Sequence, residues 1–167
     1  MEIFFHEPRR ELSVREAAKI LKVAPATASK DLAELESQGL LKVRDERLAK
    51  LYSANVESDS YRDLKRYYTI RKLKDAKLLE SINSFYRNPT IILFGSAAAG
   101  TDNESSDIDL IIISDRDDAF SERAEFEKKI GRRIQLFAIH SMSELAKQHL
   151  ITQVSSGIVL QGALQWN

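Results

Sequence analysis

The segment from Thr90 to Ile113, TIILFGSAAAGTDNESSDIDLIII, limits what this chain can fold into more than any other stretch. An apolar, β-branched run stops at Gly95-Ser96, and a second begins just after Asp107. Short apolar runs bounded by turn residues are buried strands. The two-residue period of a strand sets Asp107 and Asp109 on one face and Ile108 and Leu110 on the other. Two carboxylates held that close repel, so keeping both ionised at the mouth of a buried strand requires a compensating cation. A divalent metal answers: Mg²⁺ takes oxygen ligands, usually one or two carboxylates plus substrate phosphates. Ahead of the acids, Gly95 lets the backbone approach a ligand, Ser96 offers a hydroxyl, and Ala97 to Gly100 add no bulk, an arrangement suited to phosphate oxygens. Alone, the Gly-Ser pair is equally a plain strand-to-helix turn. Beside the two acids it reads as a site for ATP or another nucleoside triphosphate with Mg²⁺.

Length bounds the rest loosely, since 167 residues suit one ordinary domain or two small ones. With 43% hydrophobic and 30% charged residues the composition is globular. No cysteine is present, which excludes a disulfide framework, a thiolate metal site and a cysteine nucleophile, and fits a reducing, cytoplasmic location. The opening MEIFFHEPRR is too short and acidic for a signal peptide, and no apolar run spans a bilayer, so no membrane association is expected. His6, His140 and His149 stand apart with no ligand spacing, and read as structural. Charge is uneven: residues 61–90 carry 8 basic and 3 acidic side chains, residues 91–167 carry 7 and 11. That split suits a nucleic-acid contact in the middle and a cation site near the end, or simply solvated helix faces.

Toward the N-terminus, Ser13 and Glu16 form a capping box that opens a helix, with Leu12 stapled onto Ala17 and with Ala17, Ile20 and Leu21 on its apolar face. Pro25 sits in the first turn of a second helix whose buried stripe is Ala28, Leu32 and Leu35, and Gly39 ends it. Two short strands follow around a charged turn, RDER, and EIFFHE supplies one more helix ahead. This order resembles the winged helix-turn-helix of DNA-binding regulators, over about residues 1–56, although Ala24 stands where such helices usually carry a Ser cap. The resemblance implies a recognition helix whose Thr27, Ser29 and Lys30 face a major groove, with Lys42, Arg44, Arg47 and Lys50 of the wing on phosphates. The alternative is a dimerisation or scaffold module with an ordinary charged surface, and Glu34, Asp45 and Glu46 dilute the positive patch.

Residues 57–88 lack interior glycine and read as one or two linking helices. Their tyrosines and cations, among them Tyr61, Lys65 and Arg66, serve either as helix packing or as an extension of a nucleic-acid footprint or dimer interface. Beyond the Asp pair, DDAFSERAEFEKKIG reads as a helix closed by Gly131, a second helix opens at Ser141, and IVLQ is a last strand.

Gly95-Ser96, ten residues, then Asp107-x-Asp109 is similar to the signature of the minimal nucleotidyltransferases of the DNA polymerase beta superfamily, over about residues 89–167. The resemblance implies a small mixed sheet flanked by helices, phosphate contacts from Gly95 and Ser96, and metal at Asp107 and Asp109. It also implies in-line attack on the α-phosphate, with a third carboxylate on a neighbouring strand activating the attacking hydroxyl. Gln135, in RRIQLFAI, stands in place of that third acid, and an amide can neither accept the proton nor neutralise a metal. Ala97 and Ala99 stand where the family often has cations. Some relatives of this kind adenylylate a partner toxin of the HEPN type.

The expected fold is therefore α+β: a winged helix-turn-helix at 1–56, a helical linker at 57–88 and a small mixed-sheet, nucleotidyltransferase-like domain at 89–167. Two functions follow. One is transfer of a nucleotidyl group, AMP, to a protein or small-molecule hydroxyl by a DNA-binding homo-oligomer, a dimer by expectation. The other is a non-enzymatic DNA-binding transcriptional regulator whose second domain is a degenerate nucleotide-binding or oligomerisation module.

Overall fold

A computed structural model describes residues 1–46, 49–116, 118–141, 143–144, 154 and 156–163. The chain divides into two compact units, Met1–Lys65 and Arg66–Asn167.

The first unit holds α1 (Glu2–His6), β1 (Leu12–Ser13), α2 (Val14–Leu21), α3 (Pro25–Ser37), β2 (Leu41–Glu46) and β3 (Ala49–Ala54), with the strands in the order β1-β3-β2, all antiparallel. This is a helix-turn-helix followed by a hairpin, as the sequence implies. Its punctuation is local chemistry. Ser13 accepts from the Glu16 amide while the Glu16 carboxylate accepts from the Ser13 amide, so two otherwise orphaned donors are satisfied at the start of α2. At the end of α3, Gly39 adopts φ +71°, its amide donates to Glu36 and the Leu40 amide to Leu35, the paired bonds of a Schellman stop. Ala24 caps α3 without a side-chain bond.

Two expectations need correction here. Ile20 and Leu21 are not buried: they are 41% and 50% exposed, because α2 turns Ala17 and Ala18 toward the core and leaves the larger residues at the edge of an open groove. Ala28 and Leu32 are buried as expected, but Leu35 is only half-buried. Nor do Arg44, Asp45 and Glu46 of RDER form a turn: they pair with β3 as the last residues of β2, and Arg47 lies outside the described residues. Alternating charged residues on an exposed ribbon carry no apolar signal by which to find the strand's end.

A long helix, α4 (Asp59–Asp75), precedes α5 (Leu78–Tyr86), the break marked by Lys77 at φ +64°. Tyr61 is buried and donates its hydroxyl to the Phe4 carbonyl, and buried Lys65 donates to the Phe5 carbonyl. These two side chains are packing elements of the first unit, not part of a nucleic-acid footprint.

In the second unit, β4 (Thr90–Phe94), α6 (Gly95–Ala99), β5 (Ile108–Ile113), α7 (Arg123–Ile130), β6 (Ile134–Ile139) and β7 (Ile158–Gln161) follow. The sheet order is β6-β5-β4-β7, with β5 and β6 parallel and the other pairs antiparallel, a mixed sheet as the resemblance implies. One face packs Ile91, Leu93, Ile108, Leu110 and Ile112 against Leu78, Ile82, Phe126 and Ile130 of α5 and α7. The other carries Ile92, Phe94, Ile111 and Ile139 with Val154. The helix expected from Asp117 onward begins only at Arg123 and ends, as expected, at Gly131 with φ +78°. Most of the helix expected from Ser141, His149 within it, lies outside the described residues. Among the described residues no helix is long and apolar enough to cross a membrane.

Candidate active site at the mouth of the mixed sheet

The site is built where β4 ends and β5 and β6 begin. Phe94, the last residue of β4, pairs with Asp109, and Asp109 in turn pairs with Gln135 across the parallel β5–β6 ladder. Asp109 and Gln135 thus share the face that carries Ile111 and Phe137. Asp107 immediately precedes β5, two residues from Asp109.

Gly95 closes β4 with φ +68°, a conformation that suits glycine. A Cβ at that position would lie 2.6 Å from Asp109 Oδ2, so any other residue would push this carboxylate aside as well as strain the backbone. Ser96 follows, half-buried in the first turn of α6. The far end of α6 is held by Arg66, whose guanidinium donates to the carbonyls of Ala98 at 2.8 Å and Ala99 at 3.2 Å. A cation on terminal carbonyls fixes a helix too short to be stable by itself.

The loop from Thr101 to Asp107 is equally determined. Asn103 accepts from the Ser105 amide and hydroxyl, and the Asn103 amide donates to Ser106 Oγ. Arg132, just before β6, pins this loop by three bonds, to Ser106 O at 2.8 Å, Asp107 O at 3.1 Å and the buried Asp102 carboxylate at 2.6 Å. Its neighbour Arg133 donates Nε to Asp107 Oδ1 at 2.9 Å, and Gln135 donates Nε2 to Asp107 Oδ2 at 2.6 Å. The sequence singles out neither Arg132 nor Arg133, and it offers Arg66 only as a packing, nucleic-acid or interface cation. Only the strand register shows what the cations in RRIQ meet; the turn residues Asn103, Ser105 and Ser106 were the available hint of an ordered loop.

Burial pushes the Asp109 carboxyl up from the usual Asp value, the nearby Asp107 charge adds to this, and Arg132 opposes it. An ionised Asp109 is therefore short of positive charge. Asp107 and Asp109 supply hard oxygen donors, and the backbone of Gly95 lies against the Asp109 carboxylate. This donor set fits a divalent cation that takes two protein carboxylates and completes its shell with water and phosphate. Among the described residues no cluster of three His, Cys, Asp or Glu side chains with metal-holding geometry occurs.

On the first unit, Thr27, Ser29 and Lys30 of α3 are exposed around the buried Ala28, and Lys42 and Lys50 are exposed on the hairpin. Arg44 is exposed but engaged: it makes a two-pronged bond to Glu11 at 3.1 and 2.8 Å and a further one to Glu46 at 3.1 Å. These partners hold the guanidinium above its ordinary pKa and the Glu11 carboxyl below its own. Arg47 lies outside the described residues.

Two family matches accompany this geometry. Residues 76–163 match the family described as polymerase beta, nucleotidyltransferase, and residues 7–44 match a DeoR-like helix-turn-helix domain. No curated protein matches the chain.

Proposed function

The chain belongs to the polymerase beta nucleotidyltransferase family, and from that premise we propose that its second unit binds a nucleoside triphosphate with Mg²⁺ and transfers an AMP group to a hydroxyl, while its helix-turn-helix holds it on DNA. The observation that supports the site reading is the packing of the Gly95 backbone on the Asp109 carboxylate, with Asp107 alongside. In this reading Gly95 and Ser96 receive triphosphate oxygens, and Asp107 and Asp109 hold the metal. Bound metal would neutralise charge on the phosphates and developing charge on the leaving group. The acceptor oxygen forms a bond to the α-phosphorus, the bond to the bridging oxygen breaks, and pyrophosphate leaves. The acceptor proton needs a base, and Gln135 is not one. Transfer is then slow, and Gln135 is what favours the second reading, a DNA-binding transcriptional regulator whose nucleotide site binds without turnover.

The acceptor class we favour is a protein hydroxyl, with a HEPN-type partner as the specific candidate, and the working form is a homo-oligomer, a dimer. The test is intact-mass spectrometry of that partner after incubation with this chain, ATP and Mg²⁺. One added adenylyl group supports transfer; an unchanged partner mass with retained ATP binding supports the regulator.

DNA contact has its own test. Lys30 has no ion-pair partner among the described residues, whereas Arg44 must give up Glu11 and Glu46 to meet a phosphate. Lys30→Ala should lower the slope of log affinity against log salt by about one unit, and Arg44→Ala by clearly less. Fluorescence titration of a duplex at several salt concentrations reads both slopes. An unaltered slope in Lys30→Ala would point to the scaffold reading of this unit.

A further inference from the structure

Asp107 is a recessed carboxylate, its side chain 18% exposed, and each of its oxygens already accepts one bond. Arg133 reaches Oδ1 at 2.9 Å from a side chain that is 79% exposed, and Gln135 reaches Oδ2 at 2.6 Å. Each oxygen keeps a second lone pair, but a metal cation does not readily approach a carboxylate that a guanidinium already covers. Of the two donors, the arginine brings charge. Its exposure leaves room for it to swing into solvent without disturbing packing. Arg132, by contrast, is largely covered and held on Asp102 and the loop carbonyls, and it stays in place.

We propose that Arg133 is a built-in counter-ion of Asp107 that a divalent cation must displace, so that the nucleotide site is closed by the chain's own guanidinium until the metal arrives. This rests on the reading of Asp107 as a metal ligand. Once displaced, the guanidinium lies at the rim of the same site. There it is a cation available to triphosphate oxygens, in a chain whose loop after Gly95-Ser96 offers only alanines. The device couples metal entry to the release of a phosphate-binding group.

Mn²⁺ titration followed by the electron paramagnetic resonance of the free ion tests this on the full chain without any activity readout. Arg133→Gln should bind Mn²⁺ about five- to tenfold more tightly than the wild type, the scale expected for removing one charge-assisted bond from a partly exposed pair. Arg133→Lys keeps the charge and should stay near the wild-type affinity. Asp107→Asn placed on Arg133→Gln should abolish the gain. Equal Mn²⁺ affinity in wild type and Arg133→Gln, with Asp107→Asn still weakening both, would overturn the counter-ion proposal and leave the metal reading standing. Indifference of Mn²⁺ binding to Asp107→Asn in every background would overturn both. Thermal melting of the Arg133 variants checks that the exposed position leaves the fold intact.

Discussion

Gln135→Asp should raise metal-dependent nucleotidyl transfer by about 10² to 10⁴, the range over which a positioned general base acts. The position is suited to the change, since residue 135 pairs directly with Asp109 and its side chain already reaches Asp107. The substitution removes the bond that Nε2 donates to Asp107 and puts a carboxylate where the acceptor proton must go. It also adds a third like charge beside a carboxyl that burial and Asp107 already push up, so the metal-free variant should be modestly less stable. That loss is largest where the acids are ionised and fades as the pH falls through the raised Asp109 value. Pyrophosphate release from ATP with a surrogate hydroxyl acceptor reads the gain. No gain over an active wild type would mean that Gln135 does not stand in the base's position.

Arg132→Met should destabilise the second unit by about 3–5 kcal/mol, the cost of breaking a buried ion pair from one side. Asp102 is fully buried, Arg132 is 10% exposed, and their 2.6 Å contact is accompanied by the two carbonyl bonds that hold Ser106 and Asp107. Removing the guanidinium leaves a buried carboxylate without its cation and frees the loop that presents Asp107. The double variant Arg132→Met, Asp102→Leu should recover much of the stability, because replacing both charges by apolar groups is often nearly neutral. It should not recover nucleotide binding, since the loop carbonyls stay unheld. Chemical denaturation followed by circular dichroism separates these outcomes. A cost under about 1 kcal/mol for Arg132→Met, the level of an exposed pair, would show that the loop is held by other means.

What the sequence revealed and what it hid follow from the range of the interactions involved. The capping box at Ser13, the glycine stop at Gly39 and the turn at Gly95 are set by residues within four or five positions of each other, and each was legible. The apolar runs of β4 and β5 were legible because both faces are buried. Periodicity does not say what covers an apolar face, which is why Ile20 and Leu21 share a face with Ala17 and are nonetheless exposed. The ion pairs Arg132–Asp102 and Arg133–Asp107 join positions 30 and 26 residues apart, and only the β5–β6 register brings them together. The same holds for Arg44, which reads as an available wing cation and is tied to Glu11, 33 residues earlier.

The central claim is that Asp107 and Asp109 make one metal-dependent nucleotide site, and calorimetric titration of ATP tests it most directly. The wild-type chain should bind ATP in the presence of Mg²⁺ and lose that binding when the metal is chelated. The double variant Asp107→Asn, Asp109→Asn should fail to bind under either condition while keeping its fold. Unchanged ATP affinity in that variant, or binding in the wild type that ignores Mg²⁺, would contradict the claim.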